Sequence, residues 1–94
     1  MAIGLLQEFE ASADEYNQIN EKVDPKGNPP DGLIMHCGGA IDGDKIRVWD
    51  VWESQGKFEE FMESRLGPAI AEAMGPDTEP TKFEVTELID VVVP

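Results

Sequence analysis

The chain has 94 residues, 40% of them hydrophobic, and a formal net charge of −13. That is one small domain, residues 1–94, with a thin core, because folding a chain this short hides only roughly 60–70% of its surface. Twenty acidic residues against seven basic ones repel phosphate backbones and anionic lipid, which argues against nucleic acid and membrane partners. The single cysteine, Cys37, cannot close an internal disulfide. With no apolar run long enough to span a bilayer and no signal-peptide pattern, the expected location is the cytoplasm.

Ala2 to Phe9 reads as a first strand, with Ile3, Leu5, Gln7 and Phe9 on one face. Ser12 and Glu15 have capping-box spacing, and Ala13, Tyr16, Ile19 and Val23 then recur at helical intervals. A helix over Ser12 to Val23 follows. Pro25 disfavours a helical residue before it, and the breakers from Lys26 to Gly32 predict an irregular loop that can rim a cavity. Leu33 to Ile41 and Lys45 to Glu53 are extended runs joined by Asp42-Gly43-Asp44, a hairpin signature. Ser54 caps a helix whose apolar positions are Phe58, Phe61, Met62 and Leu66. Gly67-Pro68 is expected to break or kink it before a second piece carrying Ile70, Ala73 and Met74. Thr81 to Val93 alternates apolar and polar residues as a last strand, interrupted at Glu87, where a bulge would turn the side chain to solvent.

The order β-α-β-β-α-β predicts an α+β, ferredoxin-like fold with a four-stranded antiparallel sheet and both helices on one face. Both faces of the hairpin are nevertheless apolar. Leu33, Met35, Cys37, Trp49 and Val51 lie on one side, with Trp49 expected beneath the helices and Cys37 a small buried hydrophobe. Ile34, Ala40, Ile46, Val48 and Trp52 lie on the other. Two helices cannot cover both, so a homodimer is expected.

The run from Val48 to Ser54, followed by Phe58 and Phe61, resembles the dimeric α+β barrel superfamily, in particular small proteins similar to antibiotic biosynthesis monooxygenases. The resemblance implies two ferredoxin-like sheets paired as a barrel, with a ligand cavity beside each sheet. It implies oxidation of aromatic, polyketide-like molecules without metal or flavin, while relatives isomerise lactones, cyclise polyketides or degrade haem. Where such relatives often carry a helical histidine, this chain reads Phe58-Glu59-Glu60-Phe61-Met62, which argues against haem degradation.

Among residues able to do chemistry, His36 is the only histidine. A three-residue hairpin loop would set Ala40 against Ile46, Gly38 against Val48, His36 against Asp50 and Ile34 against Trp52. A carboxylate directly across the strands can orient an imidazole. His36 and Asp50 are therefore the candidate catalytic pair, with His36 taking a proton from an acidic phenol or activated carbon. The same pair can also be a buried polar contact that only fixes register. Ile34, Val48, Trp52 and Gln7 are the candidate ligand-binding residues, Trp52 as a flat wall for an aromatic ring. No metal or cofactor is expected, because EF-hand, HExxH, GxSxG and Walker patterns are all missing from the sequence. The two leading expectations are a cofactor-independent monooxygenase, isomerase or cyclase-like enzyme, and a non-catalytic dimeric module that binds a hydrophobic ligand or partner.

Overall fold

The computed structural model describes residues 1–94. The strands are β1 (Ile3–Glu10), β2 (Leu33–Asp42), β3 (Lys45–Trp52) and β4 (Lys82–Glu87), and the helices are α1 (Ala13–Val23), α2 (Gln55–Phe61) and α3 (Gly67–Met74). The sheet is fully antiparallel in the order β2-β3-β1-β4, the ferredoxin-like α+β arrangement that the element order predicts.

Local chemistry fixes the helix ends. The Ser12 hydroxyl accepts from the Glu15 N–H at 3.1 Å and the Glu15 carboxylate accepts from the Ser12 N–H at 3.0 Å, a complete capping box. At the other end Asp24 takes a left-handed conformation, φ 50°, and donates its N–H to the Asn20 carbonyl. Pro25 then prevents continuation. Gly67-Pro68 does not break the second helical region as the sequence suggested. Met62–Leu66 forms a π-helical turn between α2 and α3, with the Gly67 N–H bonded to the Met62 carbonyl. The widened turn absorbs a proline that cannot donate, and Gly67 permits it because a Cβ there would collide with the Met62 carbonyl.

The hairpin reaches the expected register by another route. Its turn is Gly43-Asp44, shorter than expected, and Ile41 is an unpaired residue between the Ala40–Ile46 and Asp42–Lys45 pairs. The bulge compensates for the shorter turn, so His36 still opposes Asp50. A second irregularity lies between Leu33 and Met35. Leu33, not Ile34, consequently faces Trp52.

The face beneath the helices is also the reverse of the expected one. Ile3, Leu5 and Gln7 of β1 share a row of burial with Ile46, Val48, Asp50 and Trp52 of β3, and this side packs on the helices. Trp52 is 0% exposed at the centre of a cluster with Ile3, Leu5, Val23, Phe58, Phe61 and Ala69. Its ring meets Phe58 edge-on at 5.6 Å and Phe61 at 5.3 Å between centroids. Trp49 is instead 42% exposed and Met35 47% exposed on the outer face, where Cys37 is exposed too. Arg47 stacks its guanidinium on Trp49 and pairs with Glu8 at 2.9 Å.

β4 stops earlier than its alternation suggested. Its pairing with β1 ends at Ile3 opposite Glu87, so no bulge occurs there, and residues 88–94 form no regular structure. Phe83, Val85, Ile89, Val92 and Val93 are left exposed. No helix is long and apolar enough to cross a membrane.

Candidate functional site

β3 presents Asp50 and Trp52 on one face, because strand residues two apart point the same way. The antiparallel register adds His36 from β2. One Asp50 carboxylate oxygen meets His36 Nδ1 at 2.6 Å and the other accepts from the Trp52 indole N–H at 3.1 Å. Asp50 is only 6% exposed, so these bonds satisfy a carboxylate that burial would otherwise penalise. An ionised carboxylate only accepts, which places the ring proton of His36 on Nδ1. In the neutral ring Nε2 is then the acceptor, and the Tyr16 hydroxyl of α1 lies 2.9 Å from it. Trp52, Asp50, His36 and Tyr16 form one hydrogen-bonded chain.

Gly38 makes room for its last member. Gly38 lies two residues from His36 on the same face, and a Cβ there would collide with the Tyr16 phenol. Burial raises the Tyr16 pKa above its ordinary value of 10.0, with the negative charge of Asp50 and then the Cys37 thiol adding to the effect. At neutral pH the phenol therefore keeps its proton and can donate it to the neutral His36 ring. The unfolded chain releases this proton near its ordinary pKa while the folded chain retains it. Stability is thus unaffected below about pH 10 and falls as pH rises from there through the folded pKa. Thermal melts across this range should show the decline, and Tyr16→Phe should flatten it. Tyr16 is the only tyrosine, so near-ultraviolet absorbance reads its ionisation alone; a midpoint at or below that of the unfolded chain would overturn the assignment.

The chain opens into a cavity between the sheet and the helices, about 710 Å³ of atom-free space that continues into solvent at its mouth. Thirteen of its 19 lining residues are hydrophobic, which suits an apolar ligand held by few polar groups. Of the residues singled out in the sequence, His36, Asp50, Val48, Trp52 and Gln7 all line it. Ile34 does not; Leu33 takes its place because of the irregularity in β2. Pro25 and Pro30 of the loop form part of the wall. The loop is pinned there by Arg65, whose Nη2 donates to the carbonyls of Val23 at 2.5 Å and Asn28 at 2.7 Å, and by the Lys57–Asp31 ion pair at 2.5 Å.

Tyr16 is the functional candidate that sequence reasoning missed, since its spacing made it one more member of the α1 apolar stripe. The glycine two residues after His36 was the available signal. No group of three or more His, Cys, Asp or Glu side chains is arranged to hold a metal ion.

No family model and no curated protein matches the chain. Solved structures do. A candidate antibiotic biosynthesis monooxygenase from Chloroflexus aurantiacus J-10-fl superposes with a TM-score of 0.72 at 15% identity, covering 99% of this chain and 98% of that one. SnoaB, a cofactor-independent oxygenase from Streptomyces nogalater, gives 0.70 at 10% identity over 97% and 96%. Rv0793 from Mycobacterium tuberculosis gives 0.70 at 15% identity over 99% and 100%. The chain has the fold of antibiotic biosynthesis monooxygenase-like proteins. At these identities the likeness concerns the fold, and the chemistry has to be argued from the site.

Proposed function

We propose that the chain is a cofactor-independent enzyme of the monooxygenase, isomerase or cyclase type, whose first step is proton removal from an aromatic or polyketide-like substrate by His36. The observation that carries this reading is the hydrogen-bonded chain from Trp52 to Tyr16 ending in an apolar cavity. Asp50 holds the imidazole with Nε2 free of a proton, and that lone pair is the base. A substrate with an acidic hydroxyl or an activated C–H can displace the Tyr16 hydroxyl from Nε2, or pass its proton through Tyr16, which gives its own to Nε2 in the same step. Either way Nε2 gains the proton and the electron pair stays on the substrate, delocalised into its ring system. Asp50 offsets the positive charge then carried by the ring.

In the oxygenase branch dioxygen is the oxidant: a methylene group and O2 become a carbonyl and water. The fold shared with SnoaB, described as a cofactor-independent oxygenase, supports this branch. The test uses anthrone, whose methylene is acidic and flanked by aromatic rings. Under argon in deuterated water, the protein should accelerate deuterium exchange at that methylene, and in air it should consume oxygen. Anthrone that binds, by tryptophan fluorescence, with neither effect above the buffer rate would leave only a ligand-binding module.

The working unit in this reading is a homodimer, with the outer sheet face around Trp49 and Met35 and the exposed tail carrying Ile89, Val92 and Val93 covered by a second copy. Light scattering at micromolar concentration should give twice the chain mass. A folded monomer there would remove the dimer.

A further inference from the structure

Gln7 stands where the apolar alternation of β1 calls for a leucine. It lies between Leu5 and Phe9 on the helix-facing side, opposite Val48 and Phe83, and is 2% exposed. Its Oε1 is the one buried side-chain polar atom in the molecule without a hydrogen-bond partner. Such an atom carries its full desolvation cost for as long as it stays unpaired. Gln7 also lines the cavity. His36, Asp50 and Trp52, the other polar groups of the sheet floor, bond to one another or to Tyr16. Among them Gln7 alone keeps a buried oxygen without a partner.

Its position sets the length of the ligand. Gln7 belongs to the cross-strand row that contains Val48 and Gly38, whereas His36 belongs to the row of Asp50 and Leu5. Two strand spacings and a two-residue offset separate the two Cα atoms, about 12 Å. Both side chains line the same cavity, and a separation of that order is one that fused aromatic rings can span. A hydroxyl both donates and accepts, so it satisfies the Gln7 amide in either orientation.

We propose that Gln7 is a specificity subsite that binds a hydroxyl on the ring of a fused aromatic substrate remote from the position facing His36. This rests on the reading of the cavity as the substrate site, and Gln7 is a positioning residue that takes no part in proton transfer. The test is equilibrium binding, followed by tryptophan fluorescence, of 2-naphthol and 2,6-dihydroxynaphthalene to the wild type, Gln7→Leu and Gln7→Met. The wild type should prefer the diol by about tenfold, the scale on which a site built for a hydroxyl discriminates once its polar group would otherwise stay unpaired. Both variants should lose that preference, bind 2-naphthol at least as well, and melt at or above the wild-type temperature because the unpaired amide is gone. Equal binding of the two ligands by the wild type, or a preference that survives in Gln7→Leu, overturns the subsite. So does a Gln7→Leu melt well below wild type, which would mean that the amide is already paired in the free protein. The titration contains no chemical step. Equal binding of the two ligands by the wild type with intact anthrone exchange therefore fails the subsite alone, and a clear wild-type preference without exchange fails the enzymatic reading alone.

Discussion

Replacing Trp52 with alanine is expected to cost about 3–5 kcal/mol, the range for emptying a buried aromatic site. A domain of this size has only about 5–14 kcal/mol to lose, so this single change threatens the fold. Trp52 has no exposed surface and joins β3 to α2 through Phe58 and Phe61. Trp52 also lines the cavity, so emptying its site would enlarge a space already open on that side. Removing the indole N–H also strips Asp50 of one donor, which adds about 1–3 kcal/mol for a buried group left unpaired. Trp52→Phe separates the two contributions: it keeps most of the packing and loses the donor, so it should cost roughly the second amount. Urea unfolding at one fixed protein concentration is the measurement, because association makes apparent stability depend on concentration. A Trp52→Ala protein within 1 kcal/mol of wild type, on the scale of ordinary surface changes, would refute the central role given to this ring.

How much of this was legible beforehand follows from which interactions are local. The capping box and the proline stop after α1 are set by residues close in sequence and appear as the sequence implied, as does the hairpin apart from its shorter turn and the bulge at Ile41. The His36–Asp50 pairing was legible because it depends only on the number of residues between two adjacent strands, and the bulge at Ile41 preserved that number. Ile34 and Leu33 exchanged roles because two neighbouring apolar residues give no sign of which is paired. The hairpin alone does not tell whether Trp49 or Trp52 is covered, because it is apolar on both sides. The deciding information lies in β1, whose buried row of Ile3, Leu5 and Gln7 meets Trp52, Asp50 and Val48 only through a long-range register. The end of β4 is likewise set by its partner: apolar alternation runs on to Val93, but the β1–β4 ladder ends at Ile3 opposite Glu87, with one last bond from the Leu88 N–H to the Ala2 carbonyl. Periodicity describes a strand's own preference and says nothing about where its neighbour stops.

His36→Ala should cost about 10²–10⁴ in the anthrone exchange rate, the usual weight of a positioned general base, and Asp50→Asn should reach the same loss by a different route if its amide oxygen keeps the Trp52 indole. His36→Ala removes the accepting nitrogen outright. Asp50→Asn keeps the shape and changes the proton count. Asp50 now accepts from two donors, the Trp52 indole N–H and His36 Nδ1–H, whereas an asparagine side chain has one carbonyl oxygen and one amide nitrogen that only donates. If the oxygen stays with the indole, the NH2 group faces Nδ1, which must give up its proton to accept. The ring then carries its proton on Nε2, the atom that has to receive one from the substrate, and the base is blocked by the wrong tautomer. If the amide turns the other way, the indole N–H faces an amide donor in a buried site, and the cost appears as lost stability. Asp50→Asn must therefore lose either activity or stability, and both can be read on the same sample from initial exchange rates and a thermal melt. Full exchange activity and an unchanged melt in Asp50→Asn, with anthrone affinity also unchanged, would show that the carboxylate neither orients nor supports His36, and the proposed base would have to be found elsewhere in the cavity.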